Sequence, residues 1–136
     1  MGMFDAIGIA GTGMQTYKTW LDAISDNVAN INTVKRTSQP AFQEEFVQTQ
    51  SVAGGTDGVG QGVQVTGVAF GSAAGRLVYD PRNPLADAKG MVRAPDINLG
   101  DQMAQMIVAQ RSYQANAAIV TRAQQAYQAA LNIGKA

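Results

Sequence analysis

The chain has 136 residues, with ten basic and ten acidic side chains and a net charge of zero. That balance marks no nucleic-acid or other polyanion partner. Cysteine and histidine are both absent, which excludes disulfides, thiolate nucleophiles, imidazole acid–base catalysis and the usual zinc ligands.

The length suits one core. Charged residues make up 15% of the chain, against about 25% in an ordinary soluble domain, and a surface so poor in charge suits a protein that spends much of it in interfaces. No segment reaches the ~20 uninterrupted apolar residues of a membrane span. The start has no basic region and Asp5 interrupts any apolar run, so no cleaved signal peptide is expected. Ala6 stands where N-myristoylation after Met1-Gly2 needs Ser or Thr, and that reading is discarded.

The first stretch dominates. Met3, Ile7, Ala10, Met14, Tyr17, Leu21, Ile24, Val28 and Ile31 recur at alternating steps of 4 and 3. A period of about 3.5 residues keeps one stripe of a helix against a partner helix. Gly8, Gly11 and Gly13 each cost about 0.8–1 kcal/mol relative to Ala, so the first half depends on packing for its order. Trp20 beside Leu21 either covers the edge of a helix pair within the chain or reaches a second neighbour. The helix ends in the polar run Asn27 to Thr33, whose short side chains compete for the backbone.

Residues 33–40 read as a linker. A strand is expected over 41–52 with Phe42 and Phe46 as apolar anchors, then a glycine-rich loop over 54–62. Val63 to Thr66 alternates with period two and continues towards Phe70. Further short strands are expected at 77–79 and 89–93, separated by a rigid loop at Asp80-Pro81-Arg82-Asn83-Pro84.

Asn98 is a helix N-cap with Asp101 three residues on, and this last helix should run to about Ile133, with Gly134 just beyond. Its seam is Leu99, Met103, Met106, Gln110, Tyr113, Ala117, Val120, Gln124, Tyr127 and Leu131, with Gln110 and Gln124 as polar breaks of the kind that fix register. Ile119, Ala123, Ala126, Ala130 and Ile133 form a second stripe, and two stripes imply more than one neighbour. Asp5, Lys18, Asp22 and Asp26 give the first helix a net charge of −2, while Asp101, Arg111, Arg122 and Lys135 give the last +2. The fold expected is mainly α with a small β module: long terminal helices (1–33 and 98–136) packed as a coiled-coil-like pair around a linker and β-rich segment (34–97).

Chemistry is scarce. The Gly58-x-Gly60-x-Gly62 run has no following lysine or helix and reads as a flexible loop. Asp80, Asn83 and Asp87 lack calcium-loop spacing and read as a turn. Glu44 and Glu45, adjacent on a strand, would point to opposite faces. The methionines at 3, 14, 103 and 106 sit on seams, where packing is their role. No catalytic, cofactor or metal site and no small-molecule substrate is expected.

Ser25-Asp26-Asn27-Val28-Ala29-Asn30-Ile31-Asn32-Thr33 resembles the motif that closes the N-terminal helix of flagellar rod and hook axial proteins. Tyr79 to Asp87 (with Pro84 and Asp87) followed by Gly90-Met91-Val92, and Arg111-Ser112-Tyr113-Gln114-Ala115-Asn116, are similar to the short proximal-rod members of that group. The resemblance implies Asn27, Ala29, Asn30, Thr33, Pro84, Asp87, Arg111, Tyr113, Gln114 and Asn116 as motif residues. It further implies export by the flagellar type III apparatus, and assembly with other copies and related rod subunits into a tube across the periplasm. The terminal helices would line the inner tube, with Ile7, Met14, Tyr17, Leu21, Ile24, Val28, Met103, Met106, Tyr113, Val120, Tyr127 and Leu131 as the assembly seam. The alternatives are another rod or hook subunit, or a soluble helical adaptor or export chaperone.

Overall fold

The computed structural model describes residues 2–54 and 60–134, apart from the Met3 side chain; Gly58 of the glycine run, the Met3 member of the first seam and Lys135 lie outside the described residues. In chain order, a long helix at each end flanks four short strands. Helix α1 is Met3–Asn30 and α2 is Leu99–Ile133. Between them come β1 (Glu45–Val52), β2 (Gly62–Phe70), β3 (Arg76–Tyr79) and β4 (Met91–Ala94). The strands make two separate two-stranded antiparallel sheets, β1 with β2 and β3 with β4.

Local chemistry explains the boundaries. Asn98 Oδ1 accepts from the backbone N–H groups of Gly100 (2.8 Å) and Asp101 (3.4 Å), satisfying two of the donors that the start of α2 leaves free. At the other junction the Thr33 N–H bonds to the Asn30 carbonyl (2.9 Å) and the Thr33 hydroxyl to Asn30 Oδ1 (3.2 Å), closing the exit from α1.

Two strands begin later than the alternation suggests. β1 starts at Glu45 rather than at 41, because the Ala41 N–H is taken by the Ala73 carbonyl and Gln43 reaches the Gly71 carbonyl. β4 starts at Met91 rather than at 89, since Lys89 and Gly90 belong to the turn in which the Gly90 N–H bonds to the Asp87 carbonyl. Phe46, expected as an anchor, is exposed, whereas Phe42 is half-buried.

The described residues gather in two compact units. The first holds α1 as far as Leu21, residues Gln48–Gly67 and α2 from Ile107. Here α1 and α2 pack antiparallel: the rings of Phe4 and Tyr127 meet edge to face at 5.7 Å, and Gly13 lies against Asn116. A side chain at Gly13 would sit 2.9 Å from the Asn116 carboxamide oxygen, so this glycine permits close helix approach rather than merely weakening α1. The Thr12 hydroxyl donates to the Ile9 carbonyl (2.7 Å) and accepts from the Val63 N–H (3.1 Å). Gly62, at φ 110°, brings β2 against Thr12, where any side chain would collide. Trp20 is half-buried and stacks on Tyr17 of its own helix at 6.0 Å.

The second unit holds Asp22–Val47 and Val68–Met106. Its core is Ala23, Ile24, Ala41, Val92, Ala94 and Ile97. β3 pairs with β4 from Arg76↔Ala94 to Tyr79↔Met91, and Lys35 bridges Arg93 on the other edge of β4. The Arg93 guanidinium grips the Thr37 and Ala74 carbonyls, tying the linker to this sheet.

The glycine geometry is testable by urea unfolding. Gly13→Val should lower stability by about 1–3 kcal/mol through overpacking against Asn116. Gly8→Ala, whose added carbon meets nothing within 4 Å, should raise it by about 0.5–1 kcal/mol. Equal responses at the two positions would refute the close approach.

Candidate functional site

The second unit holds a buried chain of side-chain amides. Asn27, on the last turns of α1, is 1% exposed, as is Gln102 on the first turn of α2. Asn27 Nδ2 donates to the Glu45 carbonyl (3.0 Å) and to Gln102 Oε1 (3.0 Å), while Asn27 Oδ1 accepts from the Glu45 N–H (2.8 Å). Gln102 Nε2 then donates to Glu44 Oε1 at 2.7 Å. The Asn27 amide thus stands where a neighbouring strand would be, matching donor to acceptor at the first residue of β1. Glu44 precedes that strand, so the expected opposition of Glu44 and Glu45 across a strand does not apply.

Burial raises the Glu44 pKa above its ordinary 4.5; the Gln102 hydrogen bond lowers it, and the carboxylates of Asp101 and Asp96 raise it again. This group works as a hydrogen-bond acceptor within a helix–strand junction. Among the described residues no group of three acidic side chains is placed to hold a metal.

The remaining motif residues divide between turns and surface. Asn30 Nδ2 bonds to the Asp26 carbonyl and its Oδ1 to Thr33, while Ala29 is exposed. Asp87 Oδ1 accepts from the N–H groups of Lys89 (2.8 Å) and Met91 (3.0 Å), and Oδ2 from the Thr37 hydroxyl. The Met91 and Lys89 bonds hold its carboxyl below the usual 3.8. Asn83 bonds to Asp80 and caps Leu85, making Asp80, Asn83 and Asp87 a set of turns; Pro84 is exposed. Arg111 and Gln114 are exposed, Tyr113 is half-buried, and Asn116 bonds back to the Ser112 carbonyl while meeting Gly13.

The helices cover a different line from the apolar one. On α2 one line of covered positions, Gln102, Met106, Ala109, Tyr113, Asn116, Val120 and Ala123, again recurs at steps of 4 and 3, with Gln105, Ser112 and the seam residue Ala117 half-buried beside it. Met106, Tyr113 and Val120 are shared with the sequence seam, but Met103 (56% exposed), Tyr127 (44%) and Leu131 (47%) face out. Gln110 and Gln124, expected as buried breaks, are exposed; the amides on the covered line are Gln102 and Asn116, eight residues before each. On α1 the deepest residues are Ala10, Gly13, Thr16, Ala23, Ile24 and Asn27, whereas Ile7, Met14, Tyr17, Leu21 and Val28 are half-buried. Apart from Ile24, the deepest residues of α1 are small or polar, and its other bulky apolar side chains sit on the flanks.

Known protein families match the chain at both ends. Residues 7–35 match the family model described as flagella basal body rod protein, and residues 88–133 match the C-terminal model of flagellar basal body rod FlgEFG protein. The chain is 32% identical to the flagellar basal-body rod protein FlgC of Escherichia coli O6:H1, over 99% of this chain and all of that one. It is 30% identical to FlgC of Borreliella burgdorferi, over 98% of each, and 25% identical to FlgC of Bacillus subtilis, over 99% of this chain and all of that one.

Two variants probe the amide chain. Asn27→Ala leaves the Glu45 backbone and the Gln102 amide unpaired, and should cost about 2–4 kcal/mol in urea unfolding. Because the Glu44 pKa is raised on folding, ionising it opposes the fold, and this stability is lost as pH rises through 4.5 and above. Glu44→Gln keeps the acceptor for Gln102, so its unfolding midpoint relative to wild type should rise between about pH 4 and pH 7. A constant difference across that range would remove the burial argument.

Proposed function

The chain belongs to the FlgC family of flagellar basal-body rod proteins, and on that premise we propose that it serves in the proximal rod, exported by the flagellar type III apparatus and assembled in the periplasm with its own copies and related rod subunits. It is a structural subunit, from a family of structural proteins. End-to-end coverage by relatives of the same length favours this subunit over longer rod and hook proteins. Family membership displaces the adaptor and chaperone readings.

The observation that carries the proposal is the distribution of side chains on the helices. Leu99, Met103, Ile107, Val108, Ile119, Leu131 and Ile133 on α2 are each about half exposed or more. A monomer has no use for so much apolar surface on one helix, whereas a helical polymer covers it with neighbours. Terminal helices (1–33 and 98–136) forming an inner tube, with the 34–97 segment outside, would place that surface at subunit contacts. The half-buried flank of Ile7, Met14, Tyr17, Leu21 and Val28 on α1, and Met103, Tyr127 and Leu131 on α2, would be the assembly seam. Torque would pass through rigid helix packing.

Leu21→Asp or Leu131→Asp, expressed in a strain lacking the native gene, should leave protein levels intact but yield no rod in isolated basal bodies and no swimming in soft agar. Normal motility from both variants would defeat the seam.

A further inference from the structure

Among the described residues, strand β3 is paired along one edge only, by β4. Its residues Arg76, Leu77, Val78 and Tyr79 are all exposed, Leu77 at 56% and Tyr79 at 69%. The far edge of β4 is taken by Lys35, which exchanges backbone bonds with Arg93 at 2.8 and 2.9 Å. Arg93 therefore turns its N–H and C=O away from β3. Leu77, its partner in the register, turns its own away from β4, because positions in an antiparallel ladder alternate. Tyr79, next but one along the strand, does the same, while the Asp80 N–H bonds to the Gly90 carbonyl (2.9 Å) on the β4 side. The outer edge thus offers the N–H and C=O groups of Leu77 and Tyr79 to another strand.

The side chains along this edge select which strand. A second β3 can run antiparallel to the first with Leu77 and Tyr79 in bonding positions. Centred on Leu77, that pairing sets Arg76 against Val78 of the other copy. Centred on Tyr79, it sets Arg76 against Arg82, and Leu77 against Pro81, which has no N–H to give. Centred on Val78, it sets Arg76 against Asp80, Leu77 against Tyr79 and Val78 against Val78. Opposite charges and apolar pairs across strands are favourable, and like charges are not. The run Arg76-Leu77-Val78-Tyr79-Asp80 is its own complement in that register alone. Arg76 Nε is held by the Pro95 carbonyl (3.2 Å) and Asp80 Oδ2 by Asn83 (3.1 Å), so the Arg76 terminal nitrogens and Asp80 Oδ1 are the atoms that meet.

We propose that the free chain pairs with a second copy through the outer edge of β3, giving one continuous sheet in the order β4-β3-β3-β4, with Arg76 of each copy on Asp80 of the other. The contact is two-fold and closes on itself, so it joins a pair and propagates no array. It covers an apolar strand edge in the unassembled chain and does not rest on the rod reading. An edge this short makes a small interface, so the pair is weak and forms as concentration rises.

The test follows amide hydrogen exchange in the purified full chain at low and high micromolar concentration. The Leu77 and Tyr79 amides should gain protection at the higher concentration. Arg76→Glu or Asp80→Lys alone should weaken association by about fivefold or more, since each sets like charges opposite one another at both ends of the contact. An equimolar mixture of these two variants should restore wild-type protection, because each supplies the charge that the other lacks. Leu77→Pro removes an outward N–H and leaves the β4 ladder intact; it should abolish the gain at Tyr79 with unchanged circular dichroism. Leu77 and Tyr79 amides that exchange equally fast at both concentrations, single reversals that associate as tightly as wild type, or a mixture as weak as its components would overturn the proposal.

Discussion

The Asn27 carboxamide is the constraint on which the helix–strand junction depends. Three hydrogen bonds converge on one side chain: two to the Glu45 backbone and one to Gln102. A buried amide of this kind is costly when half satisfied and specific when complete. Here it is complete, and among the described residues no buried side-chain nitrogen or oxygen lacks a partner. Hydrophobic contact alone would tolerate small rotations of α1; three directional bonds do not. The exit of α1, the start of β1 and the first turn of α2 are thereby set against one another.

This polar anchoring frees the bulky apolar side chains for other work. Where a self-contained helix pair would bury its leucines and isoleucines, this chain fully buries Ile24 alone among those of its two helices and otherwise turns alanine, glycine, threonine, asparagine and glutamine inward. Gly13 against Asn116, and Gly62 against Thr12, allow close backbone approach that larger residues would prevent. The large side chains remain on flanks and outer faces. In the proposed polymer, this division would separate the contacts that shape one copy from those that join copies.

Much of the helical architecture is legible in the sequence, because repeats of 4 and 3 over some thirty residues admit few alternatives, and Asn98 and Thr33 mark the ends by ordinary capping chemistry. The rotation of α2 is not legible from apolarity. The eye follows Met103, Gln110 and Gln124, while the covered line runs one residue earlier through Gln102, Ala109 and Asn116. An apolar stripe reports every surface that will ever be buried, including those buried only between subunits, so in an assembling protein it overstates the internal seam. The motif residues were visible as a set, but their roles separate only in three dimensions: Asn27 faces the junction, Asn30 and Thr33 close the helix, and Asp87 holds a turn. Glu44 and Gln102 carry no sequence signal beyond being polar. What could have found Gln102 is its position one heptad before Ala109 on a line of small and amide residues.

The account is tested most directly by the energetic coupling between Asn27 and Gln102. Urea unfolding of the two single alanine variants and the double variant forms a thermodynamic cycle. If the amide chain acts as one unit, the double variant should be less destabilised than the two singles added together, with a coupling of about 1 kcal/mol or more. Additive losses would mean that the two amides contribute independently, and that the junction is held by something other than their shared network.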